Sequence, residues 1–454
     1  MRKPITITAA VLSLLTATAT PASAGQRWQD CGDGIRCTNV TVPADWARPA
    51  GPKTTLRLAK LPARQHKQGT VFVNLGGPGE QIAYLPHVKD ALADLAASFD
   101  VVLADPRGFG GSSGITCPVP SPQRAEYVFD DQETFDRYRA ENHTFGTRCT
   151  EAAGPLAGNL NSWQVARDMD AMRAALGERK LNYYGNSYGT VFGQAYAEFF
   201  PDRVGRFYLD SVFDHTNRSL VDWVGAKASA DERNLHRMAE WCSGDAQCAL
   251  HGRDVLRVWT EVLARAPIPA SSGGTVSAAR IVARSFGDDR VEWVELARSL
   301  AEAHAGDASR FTVDVGARDP DLSRIMLCAD FRYPTRYQDL KALETQVRQV
   351  APLIGWRQVW ITANHCAGLP RTTMFAQHPF RAAVPALVVN GDHDAVTPPA
   401  HGRRVAAQLI GSRYLQVPSG HAVYWRGNAC VRGHVHRYFA TGVLPAAGTV
   451  CPGD

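Results

Sequence analysis

The sequence lacks several features that would each have pointed elsewhere. Beyond residue 24 no stretch approaches 18 apolar residues, so no membrane-spanning helix is expected there. No C-x-x-C pair occurs, which removes zinc ribbons and thioredoxin-like redox chemistry. The Gly-rich turns are not followed by Lys-Ser/Thr, so no phosphate-cradling P-loop is present. Charge of either sign is not in excess: 49 Lys and Arg stand against 44 Asp and Glu, a net of +5 over 454 residues. Two of those positives, Arg2 and Lys3, fall in a segment expected to be removed, which brings the rest closer to neutral. Such a balance argues against a nucleic-acid or anionic-membrane partner. The 39 Gly and 27 Pro form no tract, and no internal repeat is seen. One large globular domain with an insertion, or two domains, remains.

What is present begins with an address. Arg2 and Lys3 precede an apolar run, Ile5 to Leu15, too short to span a bilayer, and Ala22-Ser23-Ala24 is a small-x-small cleavage site. Residues 1–24 therefore read as a secretory signal peptide cut before Gly25, and the mature protein as soluble, secreted and extracellular. No cysteine follows the cut to carry a lipid. The ten cysteines are Cys31, Cys37, Cys117, Cys149, Cys242, Cys248, Cys328, Cys366, Cys430 and Cys451. An even number in an exported chain reads as a disulfide framework. Spacing alone leaves hundreds of connectivities open; the simplest pairs each cysteine with the next, and the short Cys31–Cys37 and Cys242–Cys248 intervals fit it best.

Two segments, TVFVNLGGPG (70–79) and FDVVLADPRGFGGSS (99–113), share a plan: an apolar run ending in a Gly-rich turn. Both read as buried parallel strands with functional turns at their C-terminal ends. SWQVARDMDAMRAALG (162–177) spaces Val165, Met169, Met172 and Leu176 as a helix. LNYYGNSYGTVFGQAYAEFFP (181–201) reads as strand, tight turn and helix, and VGRFYLDSVFD (204–214) as another strand. This alternation predicts an α/β fold with a mostly parallel, doubly wound sheet. From about His215 to Phe380 helical patterns replace it; then PALVVNGDHD (385–394) and SRYLQVPSGHA (412–422) restore strands. The expected organisation is a core of residues 25–214 and 381–454, interrupted by a mostly helical lid at 215–380.

Gly185-Asn186-Ser187-Tyr188-Gly189 is G-x-S-x-G at a strand-to-helix junction. A serine on a sharp turn there projects its hydroxyl clear of the sheet, and the glycines let strand and helix approach. The pattern alone is weak, because Gly110-Gly111-Ser112-Ser113-Gly114 fits it too. No helix follows that second copy, so Ser112 reads as a turn residue and Ser187 as the nucleophile. Tetrahedral chemistry needs backbone N–H donors for the oxyanion. One is expected from Tyr188, the other from the loop Gly76-Gly77-Pro78-Gly79, near Gly79 or Glu80. After the strand at 385–391 come Asp392 and Asp394; Asp394, further into the loop, is the expected partner of a histidine. Of 14 histidines, His421 ends the last strand candidate and is the expected general base, with His393 and His401 as alternatives.

At this point the motifs resemble a known family. NLGGPG (74–79), DPRGFGGS (105–112), GNSYGT (185–190), CAD (328–330), CAGLP (366–370), GDHDAVTP (391–398) and SGH (419–421) together resemble the secreted actinobacterial tripeptidyl aminopeptidases, prolyl-aminopeptidase-like α/β-hydrolases. The resemblance runs over nearly the whole mature chain. It implies an α/β-hydrolase fold and a Ser187, Asp394, His421 triad, and it agrees with sequential disulfides. The chain departs from the pattern at Leu75, Leu369, Glu80 and Gln81, the last two standing where small residues follow the loop.

The expected function is a secreted serine hydrolase that releases short peptides from a free N-terminus through an acyl-enzyme. A carboxylesterase, or a hydrolase of a small secreted metabolite, would use the same residues. An exopeptidase needs a carboxylate for the substrate ammonium, and Glu80, Asp214 and Asp330 are the candidates. Trp223, Trp241, Trp293 and Trp356 read first as core packing. Substrate is the only partner expected, and no metal or organic cofactor is indicated, since no clustered ligand motif appears.

Overall fold

The apolar runs that end in glycine turns form the middle of a nine-stranded sheet in the computed structural model, which describes residues 27–122, 128–285, 287, 289–312, 321–370 and 375–453. The expected signal peptide lies outside the described residues. In chain order the strands are β1 (Gln29–Asp30), β2 (Arg36–Pro43), β3 (Lys53–Leu61), β4 (Gly69–Asn74), β5 (Phe99–Ala104), β6 (Leu181–Asn186) and β7 (Val204–Asp210). A two-stranded ribbon, β8 (Ile268–Pro269) and β9 (Thr275–Val276), stands apart, and β10 (Ala386–Gly391) and β11 (Arg413–Val417) complete the main sheet. The order is β1-β2-β3-β5-β4-β6-β7-β10-β11. The first four are joined antiparallel and the rest parallel.

Strand burial follows this layout. β2 alternates buried and exposed side chains from Thr38 to Val42, whereas every residue of β10 is buried. A central parallel strand is covered on both faces and so needs a continuous apolar run. On one face Val73, Leu103, Tyr184, Tyr208 and Val389 pack under the C-terminal helix Ala429–Thr441. On the other, Phe72, Val102, Tyr183, Phe207 and Val388 meet the helices Ser162–Ala175 and Gly189–Phe199. The first of these helices starts where the Asn161 side chain accepts from the Gln164 N–H at 3.1 Å. A 21-residue helix, Gln132–Ala152, was not expected. Its buried face does carry a helical spacing, Phe135, Tyr138, Phe145 and Cys149, but buried Asn142 interrupts the apolar pattern.

Between β7 and β10 the chain is mostly helical. Buried carboxylates hold this insertion together. Glu232 accepts the N–H groups of Leu353, Ile354 and Gly355 at 2.9, 2.9 and 3.0 Å. Asp231 takes Arg357 in a two-point pair at 2.7 and 3.0 Å. The insertion docks on the core where Asn234 and Lys227 donate to the carbonyls of His393 and Val396 at 2.8 and 2.9 Å. The cysteines pair sequentially: Cys31–Cys37, Cys117–Cys149, Cys242–Cys248, Cys328–Cys366 and Cys430–Cys451. Among the described residues no helix is long and apolar enough to cross a membrane.

Candidate active site

Ser187 follows β6 with φ +51°, a conformation that a non-glycine residue adopts only when its surroundings impose it. Both motif glycines are required by contact. A Cβ on Gly185 would stand 2.7 Å from the Gly189 carbonyl oxygen, and one on Gly189 would stand 2.5 Å from Asn74 Oδ1. The turn thus wedges the start of the following helix against the end of β4. Ser112, by contrast, is fully buried; it donates to the Asp105 carbonyl at 2.6 Å and accepts the Arg57 N–H at 2.8 Å, which stitches its turn to β3.

His421 Nδ1 lies 2.8 Å from Asp394 Oδ2. The other oxygen, Asp394 Oδ1, accepts the N–H groups of Val396 and Thr397 at 2.9 and 2.7 Å, and the Thr397 hydroxyl donates to Oδ2. Burial alone would push the Asp394 carboxyl up. The charge and hydrogen bond of His421, with the Thr397 donors, outweigh it and hold the group below its ordinary range. Asp394 is 0% exposed, whereas the His421 side chain keeps 25% of its surface. That is the arrangement of a fixed anion behind an accessible imidazole. Gly391 lets the two loops meet, since a Cβ there would stand 2.2 Å from the Gly420 oxygen. Asp392 turns away into a polar cleft with Arg233 and Arg403. His401 is buried on the Trp223 carbonyl, and burial pushes it down to about 3.

The loop after β4 comes against the Ser187 turn at Gly76. A Cβ on Gly76 would stand 2.8 Å from Ser187 Cβ and 3.3 Å from the Tyr188 nitrogen. The carbonyls of Gly79 and Glu80 turn inward and accept from Gln81 Nε2 at 2.7 and 3.1 Å, which leaves the loop's N–H groups near Gly79 and Glu80 for a substrate oxygen. Gln81 also accepts the Leu75 N–H at 2.6 Å, so this one side chain staples the loop shut. Asp105 braces it from behind, accepting the N–H groups of Gln81 and Ile82 at 2.7 and 2.9 Å.

A family model described as the alpha/beta hydrolase fold matches residues 69–427. The chain belongs to the α/β-hydrolase family. It is 28% identical to a tripeptidyl aminopeptidase of Streptomyces lividans, covering 96% of this chain and 88% of that one. It is 28% identical to the serine protease Hip1 of Mycobacterium tuberculosis, over 92% of this chain and 87% of that one. It is also 28% identical to a carboxylesterase B of Mycobacterium tuberculosis, over 94% and 90%. The protein is a serine hydrolase of this α/β-hydrolase family.

Two of the three carboxylates expected to meet a substrate ammonium are instead internal. Asp330 is 0% exposed and accepts the Ser162 N–H at 2.8 Å, the Ser162 hydroxyl at 2.6 Å and the Tyr188 hydroxyl at 2.6 Å. Burial raises it to about 7 despite these donors. Its place is behind the residue after Ser187. Asp214 is also 0% exposed and takes the Thr216 N–H and hydroxyl, both at 2.7 Å. Glu80 alone is exposed. The tryptophans pack internally, with Trp223 at 0% exposure and Trp241 against Trp293. Cys430, His434 and Cys451 form a grouping of metal-ligand size, but the two sulfurs are bonded to each other.

Sequence reasoning missed Asp210 and Ser211. The Asp210 carbonyl accepts the Ser187 N–H at 3.0 Å, and its carboxylate accepts the N–H groups of Val423 and Tyr424 at 3.3 and 2.8 Å. Ser211 Oγ accepts the Ala422 N–H at 2.7 Å. Two adjacent residues therefore hold both the Ser187 turn and the segment after His421. Burial first, against its hydrogen bonds, raises Asp210 to about 6.

Proposed function

We propose that the protein is an exported serine peptidase that removes short peptides from the free N-terminus of its substrates, with Ser187, His421 and Asp394 as its triad. The observation that carries this reading is the buried Asp394 carboxylate 2.8 Å from the half-open His421 ring, at the same end of the parallel strands as the Ser187 turn. Similarity to a tripeptidyl aminopeptidase over 96% of the chain supports the substrate class. Five disulfides support export.

In this mechanism Ser187 Oγ attacks the scissile carbonyl carbon while His421 Nε2 takes its proton. Asp394 fixes the Nδ1–H tautomer and stabilises the imidazolium. The oxyanion is held by the Tyr188 N–H and by an N–H of the glycine loop near Gly79 or Glu80, since the Gly76 N–H is already donated to Asn74 Oδ1 at 3.0 Å. His421 then protonates the leaving amine, and water, activated by the same ring, releases the acyl peptide. The helical insertion, acting as a lid, closes the cleft that measures the N-terminus.

The second reading is a carboxylesterase, favoured by the similarity to carboxylesterase B. Mature protein and a Ser187→Ala variant assayed on a tripeptidyl amide, its N-acetylated form, a single-residue amide and an aryl ester separate the two. Turnover of the free-amine tripeptide above the others, lost in the variant, supports the aminopeptidase. Ester turnover with no amide cleaved overturns it.

A further inference from the structure

The glycine loop, Gly76 included, borders a cleft of about 650 Å³ whose walls also carry Tyr84, Val88, Ile115, Leu322 and Trp425. Leu322 brings the insertion into that wall. Tyr84 is 55% exposed, a large aromatic left open to water beside a reactive loop. Glu80 is the one charged side chain among the described residues lining the cleft. No hydrogen bond or ion pair within the described residues engages its carboxylate.

Glu80 is nonetheless held in place. Its carbonyl is gripped by Gln81 Nε2 at 3.1 Å, and the next N–H by Asp105 at 2.7 Å. Its Cγ packs over Gly110, where a Cβ would stand 3.0 Å away. A carboxylate with no internal partner on an anchored backbone, in a cleft that also carries the Tyr84 and Trp425 rings, is complementary to an organic cation with an apolar body. Of the other two carboxylates offered by the sequence, Asp330 is spent on internal donors, and Asp214 is buried between Thr216 and Arg404.

We propose that Glu80, with the rings of Tyr84 and Trp425, forms a subsite for an organic cation carried by the substrate, either its N-terminal ammonium or a Lys or Arg side chain. This rests on the peptidase reading of the Ser187 site. Kinetics of the wild type, Glu80→Gln and Glu80→Lys on two matched substrate series test it. One series compares free with N-acetylated tripeptidyl amides of neutral side chains. The other compares N-acetylated amides carrying lysine or norleucine at each position. The ratio of kcat/KM for cationic over neutral members falls about 10-fold in Glu80→Gln, as expected for losing a charged hydrogen-bond partner, and further in Glu80→Lys. The series in which it falls names the cation. Equal ratios in wild type and variants, with unchanged melting temperatures, overturn the subsite. If only the aryl ester is turned over, the peptidase reading fails by itself. The subsite is then read from inhibition of ester turnover by hexylammonium against hexanol: inhibition about 10-fold weaker in Glu80→Gln supports it, and equal inhibition overturns it.

Discussion

The strand-borne half of the site and the helical insertion solve the same problem differently. In the core, Ser187, Asp394 and His421 stand at the C-terminal ends of β6, β10 and β11, and neighbouring strand ends orient them through short backbone bonds. In the insertion, buried carboxylates reach across long stretches of chain, as Glu232 does to residues 353–355 and Asp330 to Ser162 and Tyr188. The first arrangement gathers side chains at one end of the parallel strands, where the proposed chemistry takes place. The second is dispersed and serves docking. Substitutions on the core side are therefore expected to act on kcat, and those on the insertion side on stability and its pH dependence.

The sharpest test of the core side is Ser187→Ala, which is expected to lower kcat on the order of 10⁵- to 10⁶-fold with no loss of folding. Asp394→Asn follows, with kcat down roughly 10⁴-fold, because an amide favours the wrong imidazole tautomer. Asp392→Asn is the control: its carboxylate faces the Arg233 cleft and makes no bond to His421, so steady-state kinetics are expected to stay close to wild type. Comparable losses in both aspartate variants would break the assignment.

Asp210→Ala comes next. It removes the acceptor for the N–H groups of Val423 and Tyr424 and lets the segment after His421 drift. A displacement near 1 Å at a catalytic group costs about 10²-fold, read here in kcat with little change in KM. Asp210→Asn keeps an acceptor and is expected to recover part of the loss. Recovery in KM but not in kcat would place Asp210 in substrate binding rather than in positioning.

The same contrast explains what could be read in advance. The Ser187 turn was legible because two glycines sit where any Cβ would collide with the Gly189 carbonyl or Asn74. The sheet was legible because strands such as β10 open on an apolar run, Ala386 to Val389, and the helix at 162–175 because of its apolar spacing. Asp210 was not. Asp210 and Asp214 both close the same apolar run, and only the placement of Ala422 to Tyr424 distinguishes them. Asp330 misled for a related reason: a carboxylate next to a disulfide cysteine looks available until Ser162 and Tyr188 arrive from 168 and 142 residues away.

The smallest effect on turnover is expected from Asp330→Asn, and it probes the insertion side directly. Asn keeps an oxygen for the Ser162 N–H, and its amide meets hydroxyls that can rotate to accept, so the Tyr188 contact survives. What changes is linkage to pH. Asp330 ionises near 3.8 when exposed and near 7 when folded, chiefly because burial penalises its charge. Between those values the folded protein holds a proton that the unfolded chain has released, so Asp330 makes stability fall as pH rises from about 4 to 7 and contributes no further change above that. Asn cannot ionise and removes this slope. Asp210 titrates in the same interval in both proteins, so it cancels in the comparison. The melting temperature of Asp330→Asn relative to wild type is therefore expected to climb steadily between pH 4 and pH 7 and then hold level. A difference that stays constant across that interval would mean that the insertion does not meet the Ser187 turn through a buried, proton-binding carboxyl.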